Sequence, residues 1–204
     1  MRKLTDMARP RSFDDTEVTA AARDAFWSHG YAATSIDDLC EATGLGRGSL
    51  YGAFGDKRSL YLTALDAYVA SVIAQNHRDL YDTDGNALQR LVFHIRRHMR
   101  LTLADTKRRG CLISKSAAEL SSSDREVVQH TKRSLDAWRN DLAATLAEAQ
   151  ADGDLPADRD TDALASLLLT VLRGMESIRT QGASPAVINA TGEAAIKLLL
   201  GTPG

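Results

Sequence analysis

The 204-residue chain is poor in cysteine, proline and aromatic residues: two cysteines, four prolines, and 5% Phe, Trp and Tyr together. Cys40 and Cys111 stand alone in unrelated contexts. They build neither a disulfide framework nor a metal-ligand spacing, a usage that suits a reducing cytoplasm. Scarce proline with abundant Ala and Leu favours helices over sheets. Apolar runs are short or broken by charge, so no transmembrane span is expected. The basic start lacks the apolar core of a signal peptide. Neither sign of charge dominates: 25 Lys and Arg face 27 Asp and Glu, a net −2. That balance by itself weighs weakly against a nucleic-acid partner. No nucleophile–base set or metal cluster is visible, so a helical enzyme is the least supported class, and no cofactor or metal is expected.

What charge there is lies unevenly. Arg2, Lys3, Arg9 and Arg11 crowd residues 1–13, and Arg47, Lys57 and Arg58 crowd a second stretch, with Asp14, Asp15 and Glu17 between them. Residues 1–13 read equally well as a disordered terminus or as a basic arm for phosphates or a minor groove.

The second stretch, residues 34–60, reads as two short helices around a tight turn. Thr34 and Ser35 are good N-caps, and Asp37 and Asp38 place negative charge in the first turn, where the helix dipole favours it. Ile36, Leu39 and Cys40 recur at helical spacing. Gly44 ends the first helix as a left-handed glycine would. A second helix runs from about Arg47 to Phe54. Leu50 and Phe54 face inward, and Arg47, Gly48, Ser49 and Tyr51 face out. Gly55-Asp56 stops it, and Asp56 can cap the helix beginning at Lys57. Such a pair is a helix-turn-helix, whose second helix enters the DNA major groove.

Residues 13–62 resemble the DNA-binding domain of the tetracycline-repressor (TetR) family of transcriptional regulators. The matching words are Ala25-Phe26, Gly30-Tyr31, Thr34-Ser35-Ile36, Leu39, Gly44-Leu45, Gly48-Ser49-Leu50-Tyr51, Phe54 and Lys57. The resemblance implies an all-α fold of about nine helices. Residues 14–60 would form the DNA-binding domain, with its motif at about 35–54. Residues 61–204 would bind ligand and dimerise, linked by a helix at 57–77. It further implies that Thr34, Ser35, Tyr51 and Lys57 hold phosphates, while Arg47, Gly48 and Ser49 read bases. Gly52 and Ala53 depart from the bulky residues that many relatives carry there.

Beyond the motif the helical pattern continues. Asp79–Gly85 is a polar break and the expected domain boundary. The helix at 86–104 carries His94 and His98 at i and i+4, which could bind a metal, but Arg96 and Arg97 disfavour a cation. Cys111 follows Lys107, Arg108 and Arg109 at a possible helix start. Both features lower a thiol pKa; the plainer alternative is a small buried residue. The helix at 124–151 contains Trp138, equally a cavity wall or core. The helices at 160–181 and from Pro185 onward are apolar almost all round, so they need a partner.

In the family that partner is a second copy. The expected interface includes Leu168, Val171, Leu172, Met175, Ile196 and Leu199, with Gly174 and Gly192 allowing close approach. The implied protein is a homodimeric repressor on a palindromic double-stranded operator. A small, largely apolar effector bound near His94, His98, Cys111 and Trp138 would release it. The alternative is a thiol-based sensor using Cys111.

Overall fold

The structure is a computed structural model and describes residues 13–201. Arg2, Lys3, Arg9 and Arg11, the basic residues of the expected arm, lie outside the described residues. Among the described residues the chain forms nine α-helices and no strand: α1 Asp15–His29, α2 Ile36–Thr43, α3 Arg47–Phe54, α4 Lys57–Tyr81, α5 Ala87–Ala104, α6 Leu112–Leu120, α7 Arg125–Ala151, α8 Thr161–Thr180 and α9 Pro185–Leu200.

Local chemistry sets most of these limits. Asp14 accepts the Thr16 N–H at 2.7 Å to start α1, and Ser35 and Asp38 cap α2 reciprocally. Gly44 ends α2 in the left-handed region at φ 71°, and Asp56 accepts the Ser59 N–H at 2.7 Å in the first turn of α4. Asn86 with Gln89, Asp124, Asp160 and Ser184 begin α5, α7, α8 and α9, with Pro185 at the first position of α9. A side-chain oxygen at each site satisfies an N–H that the helix itself leaves without a partner.

The chain divides into two compact units between Ala64 and Leu65, inside α4. Residues 79–81, part of the polar stretch expected to separate domains, are still helical, and α4 runs four residues past the expected 57–77. The reason is Asp79: its carboxylate is buried and paired rather than solvated.

In the first unit, Val18, Ala22 and Phe26 of α1 are buried with Leu39 of α2, Leu50 of α3, and Leu60, Tyr61 and Ala64 of α4. Tyr61 sets its ring edge-on to Phe26 at 5.0 Å and tilts against Tyr31 at 4.8 Å. Burying side chains of this size contributes about 1.5–3 kcal/mol each, and this cluster orients the short α2 and α3.

In the second unit, Leu80 joins Leu91, Ile95 and Met99 of α5, Trp138, Leu142 and Leu146 of α7, Leu168, Leu172 and Met175 of α8, and Ile188 and Ile196 of α9. This corrects the expected dimer face. Leu168, Leu172, Met175 and Ile196 are at most 4% exposed in the single chain, so they have nothing left to bury against another. Leu199 packs against the same core. Val171 is half-buried. The apolar side chains that α8 and α9 leave outward are Leu167, Val187 and Leu198, the last 70% exposed. A Cβ on Gly174 would meet nothing within 4 Å, whereas one on Gly192 would meet Met99 Cγ at 2.7 Å. The close approach at Gly192 is therefore between α9 and α5 of one chain. Among the described residues no helix is long and apolar enough to cross a membrane.

Candidate functional site

In the first unit, α3 is held by Leu50, which is 3% exposed, and presents Arg47, Gly48, Ser49, Tyr51 and Gly52 to solvent. Tyr51 is 44% exposed. Gly46 precedes α3 with no side-chain cap, so the N–H groups of its first turn keep their capacity for an outside acceptor. Arg47 turns back to Asp37 on α2, with Nε at 3.0 Å from Oδ1 and Nη2 at 2.7 Å from both oxygens. Those hydrogen bonds raise its pKa above the usual arginine value.

The flanking residues divide. Ser35 is exposed, but its hydroxyl accepts the Asp38 N–H at 3.1 Å, and the Asp38 carboxylate accepts the Ser35 N–H at 2.7 Å. This pair holds Asp38 below the ordinary carboxylate range. Thr34 differs from expectation. It is 0% exposed and its hydroxyl donates to the Gly30 carbonyl at 2.6 Å, which ties the end of α1 to the start of α2 and leaves nothing to offer a phosphate. Lys57 lies with Nζ 4.5 Å above the Tyr31 ring, a cation–π contact that positions the ammonium.

In the second unit the two histidines sit in a buried polar chain. Asp79 of α4 accepts from Gln75 Nε2 at 2.9 Å and from Arg97 Nη1 at 3.0 Å. Its Oδ2 also lies 3.0 Å from His94 Nδ1. On the other side of that ring, Trp138 Nε1 lies 2.8 Å from His94 Nε2. An indole N–H only donates. His94 Nε2 is therefore the acceptor, and Nδ1 carries the proton given to Asp79. With its lone pair taken, His94 is not available to a metal or an effector. His98 points Nε2 at the Leu172 carbonyl, 3.0 Å away, and must donate there. Burial, with His94 beside it, pushes His98 down to about 3.

Cys111 is the residue before α6 and is 6% exposed. Arg173 Nη1 of α8 is 2.7 Å from its sulfur. Arg173 also reaches Glu176 Oε2 at 3.1 Å and stands 4.9 Å above the Trp138 ring. Tyr68 of α4 hydrogen-bonds Cys111, and burial together with Cys111 and Glu176 raises the tyrosine. Burial also raises Glu176, against the pull of Arg173. The cation at the sulfur thus comes from α8, not from residues 107–109. Oxidation needs an accessible sulfur. With Cys111 only 6% exposed and Arg173 against its sulfur, the geometry does not favour the thiol-sensor alternative.

A cavity of about 250 Å³ opens beside these groups, lined among others by Arg108, Arg109, Cys111, Lys115, Arg173 and Glu176. Of the four residues expected to line a mostly apolar pocket, Cys111 lines this one and His94, His98 and Trp138 do not. Its wall is largely apolar, and the charged side chains along it are mainly cationic. Sequence reading missed Arg173 and Glu176 altogether. Their spacing of three in the middle of a largely apolar helix was the available signal, since a charged pair on a packed face calls for a partner.

Comparison with known proteins agrees with this architecture. Residues 18–64 match the family described as "Bacterial regulatory proteins, tetR family". Residues 87–188 match "Tetracyclin repressor-like, C-terminal domain". The chain is 28% identical over 176 residues to the HTH-type transcriptional repressor ComR of Escherichia coli (strain K12), covering 86% of this chain and 84% of that one. Two solved structures of cysteine-substituted forms of the TetR-family regulator CifR, complexed with 26 bp double-strand operator DNA, each cover 93% of this chain and 98% of their own. They share 28% and 30% identity with it, at TM-scores of 0.80 and 0.78. With a helix-turn-helix head at one end and a helical body matched over half the chain, this protein belongs to the TetR family of transcriptional regulators.

Proposed function

We propose that the protein is a homodimeric repressor that holds a palindromic operator and is released from it by a small molecule bound in the second unit. The observation that carries the reading is the exposure of Arg47, Gly48, Ser49 and Tyr51 on a helix locked by Leu50. The relatives add support, ComR as a repressor and CifR as a protein seen on operator DNA. Arg47 is the base reader. A bidentate pair with guanine is worth about 1–3 kcal/mol of discrimination, and Arg47 must leave Asp37 to make it. Ser35, Tyr51 and Lys57 contact phosphates, together with the uncapped start of α3. Thr34 serves them indirectly by fixing the loop before α2.

The dimer face is built on the outward residues of α8 and α9, with Leu167, Val171, Val187 and Leu198 around Gly174. Two-fold symmetry then requires half-sites ~34 Å apart, or a multiple of that. An effector that binds better to the conformer with wrongly spaced heads shifts the population away from the operator. The protein works where chromosomal DNA is, in the cytoplasm.

The test is a gel shift with the intergenic DNA upstream of the protein's own gene. Wild type is compared with Arg47→Ala and Tyr51→Ala, and Leu198→Glu is examined in parallel by sedimentation. Salt-sensitive binding lost in both head variants, and a smaller particle for Leu198→Glu, are expected. Wild-type binding that neither head variant weakens would remove the assignment of α3.

A further inference from the structure

The cavity's charge names the class of its ligand. Four cations line it, Arg108, Arg109, Lys115 and Arg173, with one lining carboxylate, Glu176, and with Arg109 paired to Asp105 behind the wall. Glu176 is already engaged by Arg173. The first turn of α6 supplies Cys111 and Ser114 to the wall. Cys111 offers no side-chain cap, so the positive end of a nine-residue helix faces the same space. Arg108 is held at φ 52°, and no other residue except glycine has a positive φ among the described residues. A left-handed side-chain-bearing residue costs on the order of 1 kcal/mol, and such strain gathers at ligand clamps. The loop bearing Arg108 is seated firmly. Gly110 donates its N–H to Asp105 Oδ2 at 2.9 Å, and a Cβ on Gly110 would meet Thr180 Cγ2 at 2.6 Å.

We propose that this cavity binds a small organic anion, a carboxylate or phosphate monoester, with its acid group between the Arg108 side chain and the start of α6. This rests on the reading of the second unit as effector-binding, and it adds an acid group to the largely apolar effector expected from sequence. The size follows from the volume. About 250 Å³ is the room of roughly eight waters, which suits a benzoate-sized molecule. Planar guanidinium groups recognise both acid groups through paired hydrogen bonds.

The site also has a way to report occupancy. Arg173 bridges the cavity to the Trp138 ring, and from there the hydrogen bonds run through His94 to Asp79 on α4. Tyr68, also on α4, touches Cys111 directly. An anion that draws Arg173 from Cys111 perturbs both contacts with α4, the helix that continues into the first unit.

The experiment is calorimetric titration of the full chain with benzoate, hexanoate and phenyl phosphate, beside benzamide and benzylamine as neutral and cationic counterparts. Arg108→Gln and Arg173→Gln are titrated in the same way, and circular dichroism checks that each is folded. Saturable binding of at least one anion is expected. It should be about tenfold or more tighter than benzamide, weaken with salt, and weaken about tenfold in folded Arg108→Gln. Preference for phenyl phosphate over benzoate assigns a phosphoryl ligand, and the reverse a carboxylate. No anion binding up to about 10 mM, equal binding of benzamide or benzylamine, or anion binding untouched in folded Arg108→Gln overturns the proposal. The ligand-free gel shift of wild type reads the regulator assignment separately, so failure of one is distinguishable from failure of the other.

Discussion

Replacing Asp79 by Asn changes almost no volume but destabilises the second unit by about 2–3 kcal/mol. The carboxylate accepts three hydrogen bonds, from Gln75, His94 and Arg97. An amide has one oxygen. If that oxygen stays with His94 and Arg97, the new NH2 meets the Gln75 NH2. Gln75 cannot simply turn over, because its Oε1 already accepts from Arg78 Nη2 at 2.8 Å. One hydrogen bond is therefore lost, at about 1 kcal/mol, while the His94 bond becomes a neutral one and the Arg97 bond loses its ionic partner, at about 1 kcal/mol each. The partial exposure of Arg97 trims its share. For a chain of this size the melting temperature should fall by about 4–12 °C, read by far-ultraviolet circular dichroism at fixed protein concentration. Asp84→Asn, at an exposed position, is the control and should stay within about 0.5 kcal/mol. A second arm tests the cause. Trp138 holds His94 in the tautomer that donates to residue 79. In a Trp138→Phe background the ring can turn its proton outward and accept from the new amide. Asp79→Asn should then cost less, with a coupling of about 0.5–1 kcal/mol. Additive effects would refute the tautomer argument, and a loss below about 0.5 kcal/mol for Asp79→Asn would refute the network's weight.

Four further outcomes follow from the geometry. Asp37→Asn frees Arg47 and removes negative charge beside the reading helix, so operator affinity in a gel shift should rise a few-fold; a fall would mean that Asp37 instead aims Arg47 at the DNA. His98 is pushed down to about 3 from an ordinary 6.5, so the unfolded chain binds the extra proton between those values. Its contribution is complete above pH 6.5 and is lost as pH falls toward 3, at up to about 1.4 kcal/mol per pH unit; the pH dependence of the melting temperature should flatten in His98→Gln, and unchanged curves would exclude the buried neutral ring. Gly192→Ala gains up to about 1 kcal/mol of helix propensity but drives a Cβ into Met99, for a net loss of about 1–3 kcal/mol in denaturant unfolding. Gly174→Ala meets nothing in the chain, so it should leave protomer folding unharmed and weaken only the dimer seen by sedimentation.

Much of the head was legible because its signals are local. Asp14, Ser35, Gly44 and Asp56 act within four residues of where they stand, and the periodicity that buries Leu39 and Leu50 is read along a single helix. Thr34 escaped that logic. A threonine before a helix reads as a cap, and only the fold shows its hydroxyl turned back to Gly30. The second unit was legible as helices but not as a site. Periodicity says that Leu168, Leu172, Met175 and Ile196 are buried, without saying in what. The same pattern serves a protomer core and a dimer face, and the packing of α5 and α7 chose the core. Gly192 is the same case, since small size permits a close approach to any partner, and the partner is Met99.

Asp79 and Arg173 show where the line falls. The sequence by itself determined the helices, their caps, the reading head and the family, because each depends on residues a few positions apart. Whether Asp79 is a solvated break or a buried acceptor depends on His94 and Arg97, fifteen and eighteen residues away. Whether Cys111 meets a cation depends on Arg173, sixty-two residues away. Charge and burial act through space, and only the tertiary structure decided which of these groups share it.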